Sequence, residues 1–312
     1  MPSPAGPGSR STDSRTTGIT PTLRELVALR GLAAAAGRRR GQAGVSGPAA
    51  SSLRGRGMEY AESRDYVPGD DARHIDWRVT ARTGRTHTKV FQVERERTTW
   101  LLCDTAPALY FGTRVRFKSV QAARAGAVAA WAAVGEGDRI AALRGTTAEP
   151  PVPPGGGPRA ALRVLDALVR WYAAAPANDE GFAIAFDHAR RLVRPGARVI
   201  ALCDARSTQA VDDAAWAGLA ARHEVVAVLL VDPLELAPPR ATLPLRSDGV
   251  RSDVDLAAPA VRARWQARFA APVEAARTRL AARGVRVHVL ATDAPSDAWR
   301  AVLDAPRPGR GR

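Results

Sequence analysis

The feature that most narrows the fold is an alternation of short apolar runs with longer helical ones through the last two thirds of the chain. Thr98 to Cys103 is an apolar run followed by Asp104, and Arg198 to Cys203 followed by Asp204 repeats the phrase. Runs this short and this continuously apolar read as strands buried on both faces. Arg139 to Leu143, Val225 to Val231 and Val285 to Leu290 read the same way. Between and after them, Phe117 to Val134, Arg159 to Ala174, Gly181 to Val193, Val211 to Arg222, Pro259 to Arg283 and Ser296 to Leu303 read as helices. The short connections predict an α/β fold, a mostly parallel sheet with helices on both faces. Residues 150–158, rich in Pro and Gly, read as a loop. Asp248-Gly249 signals a β-hairpin inserted at about 241–256.

The rest of the chain has a different texture. Residues 1–56 read as a basic, partly disordered extension carrying one helix from Pro21 to Gly37. Residues 57–97 form a separate segment with a Pro68-Gly69 turn and a strand from Thr86 to Val93. The α/β domain then occupies 98–305, and 306–312 reads as a disordered tail.

Net charge is +15, from 46 basic and 31 acidic residues, and the extension alone carries nine arginines against Asp13 and Glu25. That arm leaves open an association with nucleic acid. No basic stripe interleaved with aromatics stands in the folded part, so base-stacking recognition is not expected there. Two cysteines, Cys103 and Cys203, and no apolar leader point to a reduced, cytoplasmic setting. No segment is apolar enough to span a bilayer. The 21–37 helix keeps open a peripheral position at the inner membrane face, although its leucines at 23, 26, 29 and 32 give only a loose apolar face.

Candidate chemistry centres on Asp104 and Asp204, two carboxylates leaving core strands at one sheet edge, where a cation could be held. The competing reading is that each caps backbone N–H groups of its turn. Gly112 to Ser119 mimics a phosphate-binding loop, but Phe117 stands where the second glycine is required. Arg114, Arg116 and Lys118 therefore read as the solvated start of a helix. The five histidines lack zinc spacing, and no nucleophile stands beside a base. The chain reads as non-enzymatic.

The stretch Tyr66-Val67-Pro68-Gly69-Asp70-Asp71-Ala72-Arg73-His74-Ile75-Asp76-Trp77, continued by Ala81 and Arg82, closely resembles the signature of the domain-of-unknown-function 58 family. The resemblance runs on through Phe111-Gly112, Lys118 and the Asp204 strand, over about residues 50–305. It implies a von Willebrand factor A-like domain, and a MoxR-type AAA+ ATPase as partner, together with further A-type domain proteins. Domains of that type often bind Mg²⁺ through D-x-S-x-S, a distant Thr and a later Asp. Here Asp104 and Asp204 stand, but Ala106 and Ala108 replace the serines, and Asn178-Asp179-Glu180-Gly181 offers no threonine. A degenerate site and weak or absent Mg²⁺ binding follow, with no other cofactor expected.

Within the signature, Pro68-Gly69 sets a turn beside which Asp70 and Asp71 accept backbone N–H groups. Asp76 is expected to pair with Arg73, Arg78 and Arg82, with Trp77 as a buried or stacked plate and Tyr66 and Ile75 beside it. This reads as a structural clasp, the other reading being a partner-docking surface. The chain as a whole reads as an interaction scaffold for protein maturation or remodelling. A Mg²⁺-dependent ligand-binding domain and a nucleic-acid-associated protein remain the alternatives.

Overall fold

The computed structural model describes residues 18–34, 58–93, 97–146, 149–175, 181–247 and 250–304. The ends and linker expected to be disordered, Asn178 to Glu180, and the Asp248-Gly249 hairpin signal lie outside these residues. The chain divides into two compact units, residues 38–96 and the remainder.

The first helix, α1 (Leu23–Ala28), belongs to the larger unit. Thr22 caps it, its hydroxyl accepting the Glu25 N–H at 3.3 Å. Leu26 and Leu29 are buried in the core while Leu23 and Leu32 are exposed, the drift expected of every third residue on a 3.6-residue helix. The Trp131 indole N–H donates to the Leu26 carbonyl at 3.1 Å, so α1 is stitched to protein.

The smaller unit is an antiparallel pair, β1 (Met58–Asp65) and β2 (His87–Val93), enclosing α2 (Trp77–Thr83). Only β2 is legible as a strand in the sequence. In β1 the register shifts between Tyr60 and Glu62, leaving Ala61 as a bulge that breaks the period-two pattern.

The larger unit continues as β3 (Thr98–Cys103), α3 (Lys118–Gly135), β4 (Arg139–Arg144), β5 (Val152–Gly155), α4 (Gly157–Trp171), α5 (Phe182–Leu192), β6 (Arg198–Cys203), α6 (Asp213–Arg222) and β7 (Glu224–Val231). Then come α7 (Pro233–Leu236), β8 (Thr242–Ser247), β9 (Val250–Asp255), α8 (Pro259–Trp265), α9 (Ala271–Ala281), β10 (Arg286–Ala291) and α10 (Ala301–Asp304). The sheet order is β10-β7-β6-β3-β4-β5, parallel except for β5. The fold is thus α/β with a mostly parallel central sheet, as expected.

Three details depart from expectation. The Pro/Gly stretch taken for a loop contains β5, whose Pro153 and Pro154 are tolerated because the strand is an edge. The expected single helix from Pro259 is interrupted by a π-helical turn, Gln266–Ala270, just before Pro272, which has no N–H to continue the ladder. The last helix shrinks to α10, preceded by a 3-10 turn at Ala298–Arg300. The expected inserted hairpin is present as β8 and β9.

One face of the sheet is covered by α1, α3 and α4, the other by α5, α6 and α9. Alanine dominates α3, and Gly126 lies where a Cβ would meet Leu168 and Leu202 at 3.0 and 3.1 Å, so small residues let α3 approach both α4 and the sheet. At the amino edge of the strands, Glu224 accepts from Arg97, Arg198 and Arg286 at 3.0, 2.9 and 2.5 Å. Strand order reverses between β3 and β6, because β4 follows β3 on one side and β6 lies on the other. The carboxyl ends of β3 and β6 form the crevice where parallel sheets hold ligands.

Candidate functional site

Asp104 and Asp204 leave β3 and β6 side by side at that crevice, as their strands require. The Asp204 backbone N–H donates to Asp104 Oδ2 at 3.0 Å, and the Ala106 N–H donates to Oδ1 at 3.0 Å. Both Asp104 oxygens therefore satisfy backbone donors, as a capping role expects. Burial pushes the Asp104 carboxyl up, opposed by the Ser207 hydroxyl and these backbone donors.

Lys118, the first residue of α3, is fully buried. Its ammonium donates to Asp204 Oδ2 at 2.7 Å and to Glu235 Oε1 at 2.8 Å. This overturns the expectation of a solvated helix start. The loop before α3 is folded tightly: at Gly112 a Cβ would lie 2.2 Å from the Arg116 carbonyl oxygen. That turn aims the first residue of α3 at the sheet edge. Arg116 is only partly exposed, its guanidinium donating to the Thr292 carbonyl at 2.9 Å; Arg114 alone of the three is exposed. Burial raises the cost of ionising Asp204, yet the Lys118 ammonium more than offsets it, and the carboxyl stays below its ordinary range.

Two further acids complete the cluster and were missed in the sequence. Asp232, at the end of β7, is fully buried and accepts the Thr113 N–H and hydroxyl at 2.9 and 2.6 Å and the Thr292 hydroxyl at 2.8 Å. Glu235 returns its second oxygen to the Asp232 N–H at 2.8 Å, closing a capping box around α7. The signal was available: Asp232-Pro233-Leu234-Glu235 is a third strand-end aspartate followed at the third position by glutamate.

These residues do not fit an Mg²⁺ ion. Asp104 is occupied by backbone donors, and Asp204 by the Lys118 ammonium and, at 2.9 Å, by the Arg206 N–H. Ala106 and Ala108 offer no hydroxyl. An Mg²⁺ ion keeps several waters but still needs carboxylates free to bind it, and the cation that the Asp204 carboxylate meets at this edge is the lysine itself.

The signature residues lie in the smaller unit. Gly69 takes φ +108°, which a side chain would strain, and lets the turn close. Asp70 accepts the Val67 N–H at 3.0 Å and the Arg64 guanidinium at 2.7 Å, which hold its carboxyl below the ordinary range. Asp70's carbonyl accepts the Tyr66 hydroxyl at 3.3 Å, and Asp71 caps the Ala72–His74 turn through the Arg73 N–H. Pro68 is exposed, and Ile75 bridges to Thr88. Asp76 caps α2, accepting the Arg78 and Val79 N–H groups at 3.2 Å each, and takes the Ser63 hydroxyl at 2.7 Å.

The expected Asp76–arginine pairing is therefore absent. Helix capping consumes that carboxylate, and Arg73, Arg78 and Arg82 point to solvent. Trp77 is 69% exposed rather than a buried plate, because it opens α2 on the solvent side.

Cys103 and Cys203 are both buried but belong to the cores on opposite faces of the sheet, as Cys103 pairs in register with Leu202. Burial pushes the Cys103 thiol up to about 12 and the Cys203 thiol well above its ordinary value. Among the described residues, no helix is long and apolar enough to cross a membrane.

Residues 62–275 match the model of a family described as "Protein of unknown function DUF58". Uncharacterized proteins of Mycobacterium bovis and Mycobacterium tuberculosis are each 34% identical to the chain over 190 residues. The match takes in 59% of this chain, and the chain spans 58% of the length of those relatives. No solved structure is significantly similar to it.

Proposed function

The chain belongs to the family described as a protein of unknown function, DUF58, and from that premise we propose a non-enzymatic A-type interaction scaffold that works with a MoxR-type AAA+ ATPase. The observation that carries this reading is the Lys118 ammonium seated between Asp204 and Glu235. The sheet edge where an A-type domain would recruit a metal-bridged ligand is closed by an internal cation. Recognition then falls to side chains elsewhere on the surface. An exposed tryptophan beside arginines that face solvent is the composition of an interface anchor, and Trp77 with Arg73 and Arg82 has it. The signature thus serves better as a docking surface than as a clasp.

The test mixes the full chain with a purified MoxR-type AAA+ ATPase from the same organism and follows complex formation by light scattering and ATP hydrolysis. Saturable association that is weakened by Trp77→Ala, and unaffected by chelation of Mg²⁺ in the absence of nucleotide, supports the scaffold. No association at tens of micromolar, about −6 kcal/mol of binding free energy, would remove the ATPase from the account.

A further inference from the structure

A second concavity lies away from the sheet edge, where the C-terminal ends of α5 and α6 meet. It encloses about 280 Å³, close to the lower end of small-molecule sites at about 300–1,000 Å³. Its lining includes Asp187, Arg190, Arg191, Gly218, Arg222 and His223. Three guanidinium groups and one carboxylate thus line it, and Asp187 is engaged by Arg191 at 2.5 Å and more loosely by Arg190 at 3.9 Å.

The charge alone has an ordinary explanation, since helix C-termini favour cations. One further feature does not reduce to it. Gly218 sits inside α6, where glycine costs about 0.5–1 kcal/mol relative to alanine. Neither backbone nor packing demands it: its φ is not positive, and a Cβ there would meet nothing within 4 Å. What the missing side chain does is leave the cavity open.

We propose that this pocket binds a phosphoryl group, held by Arg190, Arg191 and Arg222. Guanidinium forks match phosphate oxygens in pairs. The phosphoryl group has two possible carriers, a free phosphate compound or a phosphorylated side chain of another protein.

Isothermal titration of the full chain with inorganic pyrophosphate and, separately, with a phosphoserine peptide decides the matter. Saturable binding of either probe with Kd below about 1 mM is expected. It should weaken at least about tenfold in Arg190→Gln/Arg222→Gln and equally in Gly218→Leu, which fills the cavity and leaves every charge in place. Arg251→Gln, on the exposed β9 strand, should bind as wild type. Tighter pyrophosphate binding assigns the group to a free compound, and tighter peptide binding to a protein. The proposal is overturned if neither probe saturates, or if Gly218→Leu binds as wild type, since the affinity would then be the general attraction of a chain of charge +15.

Discussion

Lys118 Nζ lies 2.7 Å from Asp204 Oδ2, with the lysine side chain fully removed from solvent and the aspartate nearly so. Glu235 makes the ammonium's second contact at 2.8 Å, so one cation serves a carboxylate at the end of β6 and another in α7. Burying charges in this way is costly, and removing one partner is costlier than never having had the pair. The arrangement binds α3, β6 and α7 into one edge and closes the crevice between β3 and β6.

Lys118→Met is therefore expected to destabilise the fold by about 3–5 kcal/mol near neutral pH, measured by urea unfolding. The pH dependence carries a sign. Asp204 titrates below its unfolded value of 3.8 in the native chain, so its contribution is present above that pH and is lost as pH falls through the folded value. Without the ammonium, burial of Asp204 is opposed only by its Arg206 contacts, so its carboxyl rises relative to the native chain and the variant's deficit grows as pH rises through the carboxylate range. The gap between variant and wild type should be widest near neutrality and narrow towards pH 3. A gap independent of pH would contradict the ion-pair account.

Gly112→Ala should destabilise by about 1–3 kcal/mol, since the added Cβ would collide with the Arg116 carbonyl, which is backbone and has little room to give. A melting temperature equal to wild type would show that the 111–117 loop is more yielding than its geometry indicates.

Both thiols should be silent to an aromatic disulfide reagent in the native state and react only on unfolding. Their burial and raised pKa values leave almost no thiolate. A disulfide between them is not expected under oxidation, because the side chains stand on opposite faces of the sheet. Rapid labelling of either native thiol would count against this placement.

In the smaller unit, Trp77→Ala should leave thermal stability within about 0.5 kcal/mol of wild type, as an exposed substitution does. Asp76→Ala should lower it clearly, through loss of the α2 cap and the Ser63 hydrogen bond. The reverse order would restore the clasp reading of the tryptophan.

The sheet was legible because its strands are buried on both faces: β6 stands where its uniformly apolar run placed it, and β3 likewise. The β1 strand was not, because a bulge at Ala61 shifts its alternation part-way along. Asp104 and Asp204 were legible as neighbours from their matching positions after parallel strands. Lys118 was misread because a lysine between Phe117 and Ser119 at a helix start looks solvated. Only the fold brings Asp204 and Glu235, 86 and 117 residues on, within 3 Å of it. The backbone-accepting roles of Asp70 and Asp71 were legible from local spacing, whereas the capping role of Asp76 and the exposure of Trp77 depend on where α2 begins and which side of it faces solvent.

The central claim, that an internal ammonium stands where a metal would be held, is tested most directly by titrating Mg²⁺ into the full chain by calorimetry. No saturable binding below about 1 mM is expected, in wild type or in Asp104→Ala. Submillimolar Mg²⁺ affinity in wild type, lost in Asp104→Ala, would contradict the account.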